Sequence, residues 1–365
     1  MKSRTTLAIP VLAVLACATP SPTAECPSFW QVDSLRAQVM SGIDATANDH
    51  FAMAESIFTD LAHRVPQSPV GPLFIAAAIQ AEMLDAESAD RTGDFRAWLV
   101  ETQNRARRLI DRAENTSEVE FALGAADGYD AIYESHWGGW FATLKKAMRA
   151  HGHFQAALDA DTGFVDAYLG IGNYNYWKSV GTDFINWLPF IPDRRALGLE
   201  QIRLAACRGT FARTAARASL AAALIHEDRF EEALAQADTL RQECPDGKAS
   251  LWLAAQANFR LYRWMEARGR YEDIARRILR DGPGNYFNLI ECAYYAARCR
   301  FEEGQWPETL AECHRALAFP APEDVRQRQK GKLKELRRLQ ERVKRMVAAS
   351  PASGADSRTN APPAK

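Results

Sequence analysis

The strongest structural signal in the sequence is the stretch His226-Glu-Asp-Arg-Phe-Glu-Glu-Ala-Leu234, a short polar turn followed by the start of a helix. Ala233 has a small side chain of the kind that lets two helix backbones approach each other. A step of 34 residues from Ala233 leads to Ala267, and Tyr271 and Ile274 follow on the same helical face. The stretch therefore predicts antiparallel helix pairs that repeat with this period.

The same spacing occurs near both ends of the chain. At the N-terminal end it is marked by Gly42, Ala54, Phe58, Leu61 and Pro66. Near the C-terminal end the turn returns as Gly304-Gln-Trp-Pro-Glu-Thr-Leu310. These patterns resemble the tetratricopeptide repeat (TPR), of the bacterial exported or lipoprotein type, over residues 34–322. The resemblance implies an all-α fold, an α-α superhelical solenoid of about six to seven helical hairpins, with a concave surface lined mainly by first helices.

One repeat carries a long apolar insert. Its first helix opens at Gly170, its second begins near Asp193, and between them lies Thr182-Asp-Phe-Ile-Asn-Trp-Leu-Pro-Phe-Ile-Pro192. An apolar insert of this size must be buried on the protein or on something else. The candidate loop contacts are Phe184, Trp187 and Phe190. Residues 170–199 also look distantly like the tetratricopeptide repeat protein 39 family.

The N-terminus has the pattern of a secretion signal, residues 1–18. Early basic residues precede an apolar stretch, residues 7–16, that is too short to span a bilayer of about 30 Å. Val14-Leu-Ala-Cys17 resembles a bacterial lipobox, which implies lipid attachment at Cys17. The alternative is ordinary cleavage after Ala18 or Ala24. Both predict export, to the periplasm or as a membrane-anchored lipoprotein of the bacterial cell envelope.

The regions that flank the solenoid differ from it in composition. Residues 19–33 are expected to form a tether, and residues 349–365 a disordered tail. Residues 323–348 contain ten Lys or Arg and four Asp or Glu. Their narrow apolar stripe consists of Leu333, Leu336, Leu339, Val343 and Met346. We expect a basic C-terminal helix that caps the array; binding of an anionic membrane surface is the alternative.

The composition argues against several functional classes. With 45 Lys or Arg against 46 Asp or Glu, the chain lacks the basic excess of a nucleic-acid binder. It contains no phosphate-binding Gly-x-x-x-x-Gly-Lys motif, no His-Glu-x-x-His and no Cys-x-x-Cys. The sequence therefore predicts a non-enzyme without cofactor or metal, although a catalytic triad assembled in space is not visible in a sequence.

The leading functional hypothesis is a non-catalytic protein-binding scaffold that holds a protein partner on its concave face. Aromatic and Arg side chains dominate such binding sites. The repeat spacing turns eight residues inward: Asn173, Tyr176, Trp177, Trp252, Gln256, Arg260, Tyr294 and Arg298. The two tryptophans could equally pack between repeats. The alternatives are binding of lipid or another apolar ligand through the loop 182–192, and an enzyme or enzyme accessory.

The sequence contains seven cysteines, one of which is Cys17 of the signal. Exported proteins can hold disulfides. The hairpin geometry makes Cys292–Cys313 plausible within one hairpin and Cys207–Cys244 plausible between adjacent repeats. Free buried thiols are the alternative.

Overall fold

The computed structural model describes residues 26–114, 116–182, 192–282 and 284–349, and within these ranges every regular element is a helix. The helices are α1 (Asp33–Ala47), α2 (Phe51–Arg64), α3 (Val70–Ala86), α4 (Thr92–Asp111), α5 (Ser117–Trp137), α6 (Trp140–Ala160), α7 (Ala167–Gly181), α8 (Arg195–Arg208), α9 (Arg213–His226), α10 (Phe230–Glu243), α11 (Ala249–Arg260), α12 (Trp264–Asp281), α13 (Tyr286–Glu302), α14 (Trp306–Ala318), α15 (Glu323–Arg328) and α16 (Lys330–Ala349). The prediction of an all-α protein is confirmed.

The helices pack as a linear array of hairpins. From α1 to α14, each helix contacts the next one along the chain, which gives seven hairpins. First helices also contact the first helix of the following hairpin, from α1 against α3 through to α9 against α11. This arrangement is the helical solenoid that the repeat spacing predicts.

Small residues stand where the helices of a hairpin touch. A side chain on Gly42 of α1 would collide with the ring of Phe58 on α2. One on Gly172 of α7 would collide with the backbone of α8 at Gly198. Ala233 and Ala267 are fully buried. The register inferred from the sequence is therefore the register of the fold.

The array curls until its first hairpins meet its last ones. The Asn48 side chain accepts a hydrogen bond from the Asp246 backbone N–H at 3.0 Å, and Asp49 accepts one from the Lys248 backbone N–H at 2.8 Å. The Asn288 side-chain amide donates a hydrogen bond of 2.9 Å to the backbone carbonyl of Asp85, at the end of α3. The ends of the first helices α1 and α3 thus lie against the starts of α11 and α13.

A buried lysine joins these surfaces. The Lys248 ammonium is 4% exposed and lies 2.9 Å from Asp49, 3.3 Å from Asp85 and 3.2 Å from Asp281. Burial alone would lower the pKa of Lys248, but its hydrogen bond to Asp49 and the neighbouring carboxylate charges outweigh that effect and raise the pKa. We call this group the Lys248 cluster.

The expected tether over residues 19–33 is wrong for its last part, which is docked on the body. Phe29 is fully buried, and its backbone N–H donates to a Glu118 carboxylate oxygen at 3.1 Å. The Trp30 indole donates to Asp166 at 2.6 Å. Its ring contacts those of Phe121, Phe164 and Phe211. The composition that suggested a tether ends at residue 27, and the aromatic pair after it has the chemistry of a core.

The C-terminal helices close the last hairpin. Leu333 and Leu336 of α16 are buried with Ile290, Ala293 and Cys313, which belong to α13 and α14. Met346, near the end of the expected apolar stripe, is 36% exposed. The helix α16 therefore covers the apolar face of the last hairpin with its leucines and turns most of its basic residues to solvent.

Neither expected disulfide is formed. All six cysteines in the described ranges are free thiols. Cys292 lies on the side of α13 that packs against α12, whereas Cys313 packs on the opposite side of α13. Cys207 is exposed and Cys244 is buried. Burial raises the pKa of the Cys244 thiol to about 11, so this sulfur is held in its protonated form.

Candidate functional site

The first group of inward-facing candidates lies on α7. Asn173 is half-buried and accepts a hydrogen bond from the Ser219 hydroxyl at 2.6 Å. Trp177 is 42% exposed, with its ring edge-on to His226 at 5.6 Å between centroids. Asn173 and Trp177 are thus both held against α9, and the Trp177 indole remains accessible to solvent.

Tyr176 does not belong to an accessible surface, which corrects the sequence-based assignment. Its side chain is fully buried, and its hydroxyl lies 2.9 Å from both His226 Nδ1 and Glu227 Oε1. Burial and the hydrogen bond to Glu227 raise the pKa of this phenol above its usual range. Tyr176 therefore joins α7 to the turn after α9 as a neutral hydrogen-bonding group.

The second group of candidates lies on α11. Gln256 and Arg260 are exposed on this helix. The Arg260 guanidinium pairs with Asp228 and lies 4.9 Å from the centre of the Phe230 ring. Trp252 is half-buried and packs against Tyr271 at 6.0 Å between ring centroids. Trp252 accordingly packs against the second helix of its own hairpin, whereas the other two residues are accessible.

The third group lies on α13. Tyr294 and Arg298 are half-buried, and their side chains touch each other, with the guanidinium 5.7 Å from the Tyr294 ring centre. The same guanidinium lies 4.8 Å from the ring centre of Phe259 on α11. This stacking connects the second and third groups and holds Arg298 in a fixed orientation.

Three of the eight candidates are thus exposed: Trp177, Gln256 and Arg260. The helix α9 lies between α7 and α11 and contacts both. The candidate loop contacts Phe184, Trp187 and Phe190 lie outside the described residues, and so does Cys17.

The sequence analysis missed an exposed aromatic pair at the start of α6. Trp140 is 59% exposed and Phe141 is 83% exposed, and their rings touch at 5.0 Å between centroids. The available signal was the run Trp137-Gly-Gly-Trp-Phe141, in which two glycines separate aromatic residues at a hairpin turn. The Lys248 cluster was also missed, and no local pattern marks it.

The surface of the described chain offers shallow depressions. The larger one, of about 290 Å³, is lined by charged residues of α12 such as Arg270 and Arg276. In the ranges that the structure covers, no three His, Cys, Asp or Glu side chains are arranged to hold a metal ion. None of the described helices combines the length and the apolar character needed to cross a bilayer.

Comparison with known proteins gives a likeness in fold. No family model matches the chain, and no curated protein matches it. Among solved structures, the chain is similar to the C-terminal part of a TPR repeat-containing protein from Cytophaga hutchinsonii, at 18% identity and a TM-score of 0.41, covering 79% of this chain and 97% of that one.

Two further solved structures cover 87% of this chain. A Rap protein complexed with competence and sporulation factor is 12% identical, with a TM-score of 0.44 and 88% of its own length covered. Yeast Tom70 is 10% identical, with a TM-score of 0.31 and 89% covered. The hairpin contacts described above give this chain a TPR-type architecture. The likeness of residues 170–199 to the tetratricopeptide repeat protein 39 family stays a prediction.

Proposed function

We propose that this chain is a non-catalytic protein-binding scaffold of the bacterial cell envelope, which holds a protein partner on the inner side of its first helices. The observation that carries the proposal is the accessibility of Trp177, Gln256 and Arg260 on first helices whose other candidate residues are fixed by packing. Rigid aromatic and Arg side chains provide most of the binding energy in protein interfaces.

The chemistry of these residues favours binding over catalysis. The Arg260 side chain is 53% exposed although it pairs with Asp228, so a partner carboxylate can reach its guanidinium. Tyr176, whose pKa is raised, is buried, and its hydroxyl is hydrogen-bonded to Ala223, His226 and Glu227. A rigid surface with few titratable groups can recognise a polypeptide but offers no activated nucleophile.

The test is affinity capture from the envelope fraction with the intact mature protein as bait. The double variant Trp177→Ala/Arg260→Ala should lose the captured partner. The matched control is Leu279→Ala/Arg276→Ala, an exposed apolar residue and an exposed ion-paired Arg on α12. Loss of the partner with the control variant, and retention with the Trp177→Ala/Arg260→Ala variant, would contradict the proposal.

The proposal includes attachment of the mature chain to the membrane through Cys17. It is supported by the lipobox-like Val14-Leu-Ala-Cys17 after a basic start. Radiolabelled palmitate should enter the wild-type protein in its own host and not the variant Cys17→Ser. A mature protein that begins at Thr19 or Glu25 would contradict lipid attachment and leave the inner-surface proposal intact.

A further inference from the structure

The helix α6 has two sides of different chemistry. On one side Lys146 pairs with Asp130, and Arg149 pairs with Asp127, both on the neighbouring helix α5. Each of these cations is therefore neutralised inside the hairpin. The other side begins with the exposed Trp140 and meets solvent. Among the described residues, Trp140, Phe141 and Met148 on this side remain exposed.

Apolar side chains follow this second side along the helix. Trp140, Leu144, Met148 and His151 recur at three- and four-residue steps, which places them on one face. Met148 is 54% exposed, in addition to the exposed Trp140 and Phe141. The eleven helical steps from Trp140 to His151 extend about 16 Å along the helix axis. Exposed apolar side chains therefore stand at the start of α6 and again at Met148, with the half-buried Leu144 between them, and the half-buried His151 follows at the contact with α7.

Lysines without acidic partners border this strip. Lys145 stands one turn after Phe141 and is exposed, and within the described part of the chain it makes no ion pair. Lys178 of α7 is exposed, and its ammonium lies 5.2 Å from the ring centre of Tyr174, again without a carboxylate partner in the described ranges. The Tyr174 ring in turn contacts His151 at 4.4 Å between centroids, which connects the two helices.

The electrostatic environment at this junction is positive. Burial lowers the pKa of His151, and the nearby charges of Lys178 and Arg194 lower it further. The histidine is therefore neutral at physiological pH, and the fixed positive charge comes from the lysines and Arg194. We call the surface formed by Trp140, Phe141, Lys145, Met148 and Lys178 the α6 patch.

We propose that the α6 patch binds an anionic phospholipid surface. Exposed Trp and Phe beside Lys on one face of a helix is the composition of helices that lie in the membrane interface, where rings enter the acyl boundary and ammonium groups contact phosphates. Protein interfaces, by contrast, are depleted in Lys. The patch is separate from the inner surface proposed for protein binding, so each proposal can fail alone.

The geometry supports a surface contact rather than insertion. Trp140 and Phe141 occupy the first two positions of α6, directly after Gly138 and Gly139, and therefore project at a hairpin end. The large rings at the start of the helix are exposed, whereas Phe154 further along is buried in the core together with Ala150. The rings can enter the interface while the hairpin stays folded against α5.

The test measures sedimentation with vesicles. The chain from residue 18 onward removes the possible lipid anchor and keeps every residue of the described fold, which circular dichroism verifies. It is mixed with vesicles of phosphatidylcholine alone or of phosphatidylcholine with phosphatidylglycerol. We expect binding to the anionic vesicles that falls as salt is added, because exposed charges are screened.

Two variants and a control make the test specific. Trp140→Ala/Phe141→Ala should weaken partition by about tenfold or more, since two large apolar side chains no longer leave water. Lys145→Glu/Lys178→Glu should abolish the preference for anionic vesicles. Tyr262→Ala/Met265→Ala, which removes exposed side chains from another hairpin turn, should bind as the wild type does.

Three outcomes would overturn the proposal. The first is a wild-type chain that binds neither kind of vesicle. The second is a Trp140→Ala/Phe141→Ala variant that partitions like the wild type. The third is self-association of the wild type that this variant abolishes, which would identify the α6 patch as a contact between copies of the chain.

Discussion

The two halves of the array bury their apolar residues in different ways. From the docked N-terminal segment to the start of α7, one large cluster extends from Phe29 to Ile171 and includes Phe211, and a small second cluster joins α4 to α5. From Tyr176 of α7 onward, the buried residues fall into three clusters, each made by neighbouring helices. The N-terminal half is therefore built like a globular domain, and the C-terminal half like a one-dimensional repeat protein.

Aromatic rings account for the difference. Phe58 stacks on Phe74, which meets Phe211, and Phe211 contacts Trp30. These rings come from separate hairpins and from the docked N-terminal segment, so apolar contacts pass across repeats. In the C-terminal half, alanines such as Ala233 and Ala267 stand at the helix contacts. The aromatic contacts there, such as that of Tyr271 with Tyr295, join only neighbouring hairpins. The side chains at the contacts thus determine how far stability is shared.

The largest expected effect tests the shared core of the N-terminal half. Phe29→Ala removes a fully buried ring that no helix carries, and should cost about 3–5 kcal/mol in the free energy of unfolding. Hydrogen exchange followed by mass spectrometry should show lower protection over α1 to α6 together, with α11 to α14 unchanged. Val32→Ala, at a 39% exposed position of the same segment, is the control. Loss of protection in α1 alone would contradict a shared core.

The next effect tests the independence of the C-terminal clusters. Leu336→Ala truncates a fully buried side chain of the capping helix and should cost about 2–5 kcal/mol. Because its cluster involves only residues from α13 to α16, exchange protection should fall there and remain normal in α1 to α8. The control is Val347→Ala, which is exposed on the same helix. Equal loss of protection in both halves would remove the distinction between them.

A smaller effect tests the alanine contacts themselves. Ala267→Leu overpacks a fully buried position between α11 and α12, and should cost about 1–3 kcal/mol. The midpoint of urea unfolding measures the loss. Ala235→Leu places the same side chain at an exposed helical position and should leave the midpoint unchanged. An unchanged midpoint for Ala267→Leu would show that the contact is looser than the fold indicates.

The smallest effect concerns the contact between the two halves. Burial raises the pKa of Asp85 to about 6, and the charge of Lys248 opposes the shift only in part. An unfolded aspartate titrates near pH 4, so the native state favours protonated Asp85. Its contribution to stability is present below about pH 4 and is lost as the pH rises through about 6.

Asp85→Asn isolates this contribution from those of Asp49 and Asp281, which remain beside Lys248. The wild type should lose more stability than the variant between about pH 4 and pH 6. Thermal midpoints of both proteins across this range measure the difference. Parallel curves would mean that Asp85 ionises in the folded protein as it does in the unfolded chain.

The sequence predicted best where the contacts are local. The positions of Gly42, Ala54 and Ala267 in the sequence predict the hairpin register, because each of these small residues packs against a helix nearby in the chain. The docking of Trp30 on Asp166 joins residues 136 positions apart, and no periodic pattern encodes it. Tyr176 was misassigned because the repeat spacing gives the face of a residue but not the hydrogen bonds that a turn elsewhere offers it.

The same limit applies to the candidate site. The spacing identified first-helix positions, and three of the eight are exposed. Whether Trp252 is accessible depends on Tyr271, a side chain of the next helix. The aromatic run of the α6 patch is visible in the sequence. Its charge can be interpreted only from the fold, in which Lys145 and Lys178 pair with no carboxylate of the described residues.

The curling of the array has a consequence for folding kinetics. The contact from Asn48 to Asp246 joins residues 198 positions apart, whereas a hairpin closes within about 40. Contacts of high sequence separation slow folding, since the entropy of loop closure is lost before they form. During synthesis, the first two hairpins emerge long before α11 and α13. We therefore expect a late folding step in which the ends of α1 and α3 contact α11 and α13, which are synthesised after α1 and α3 have formed.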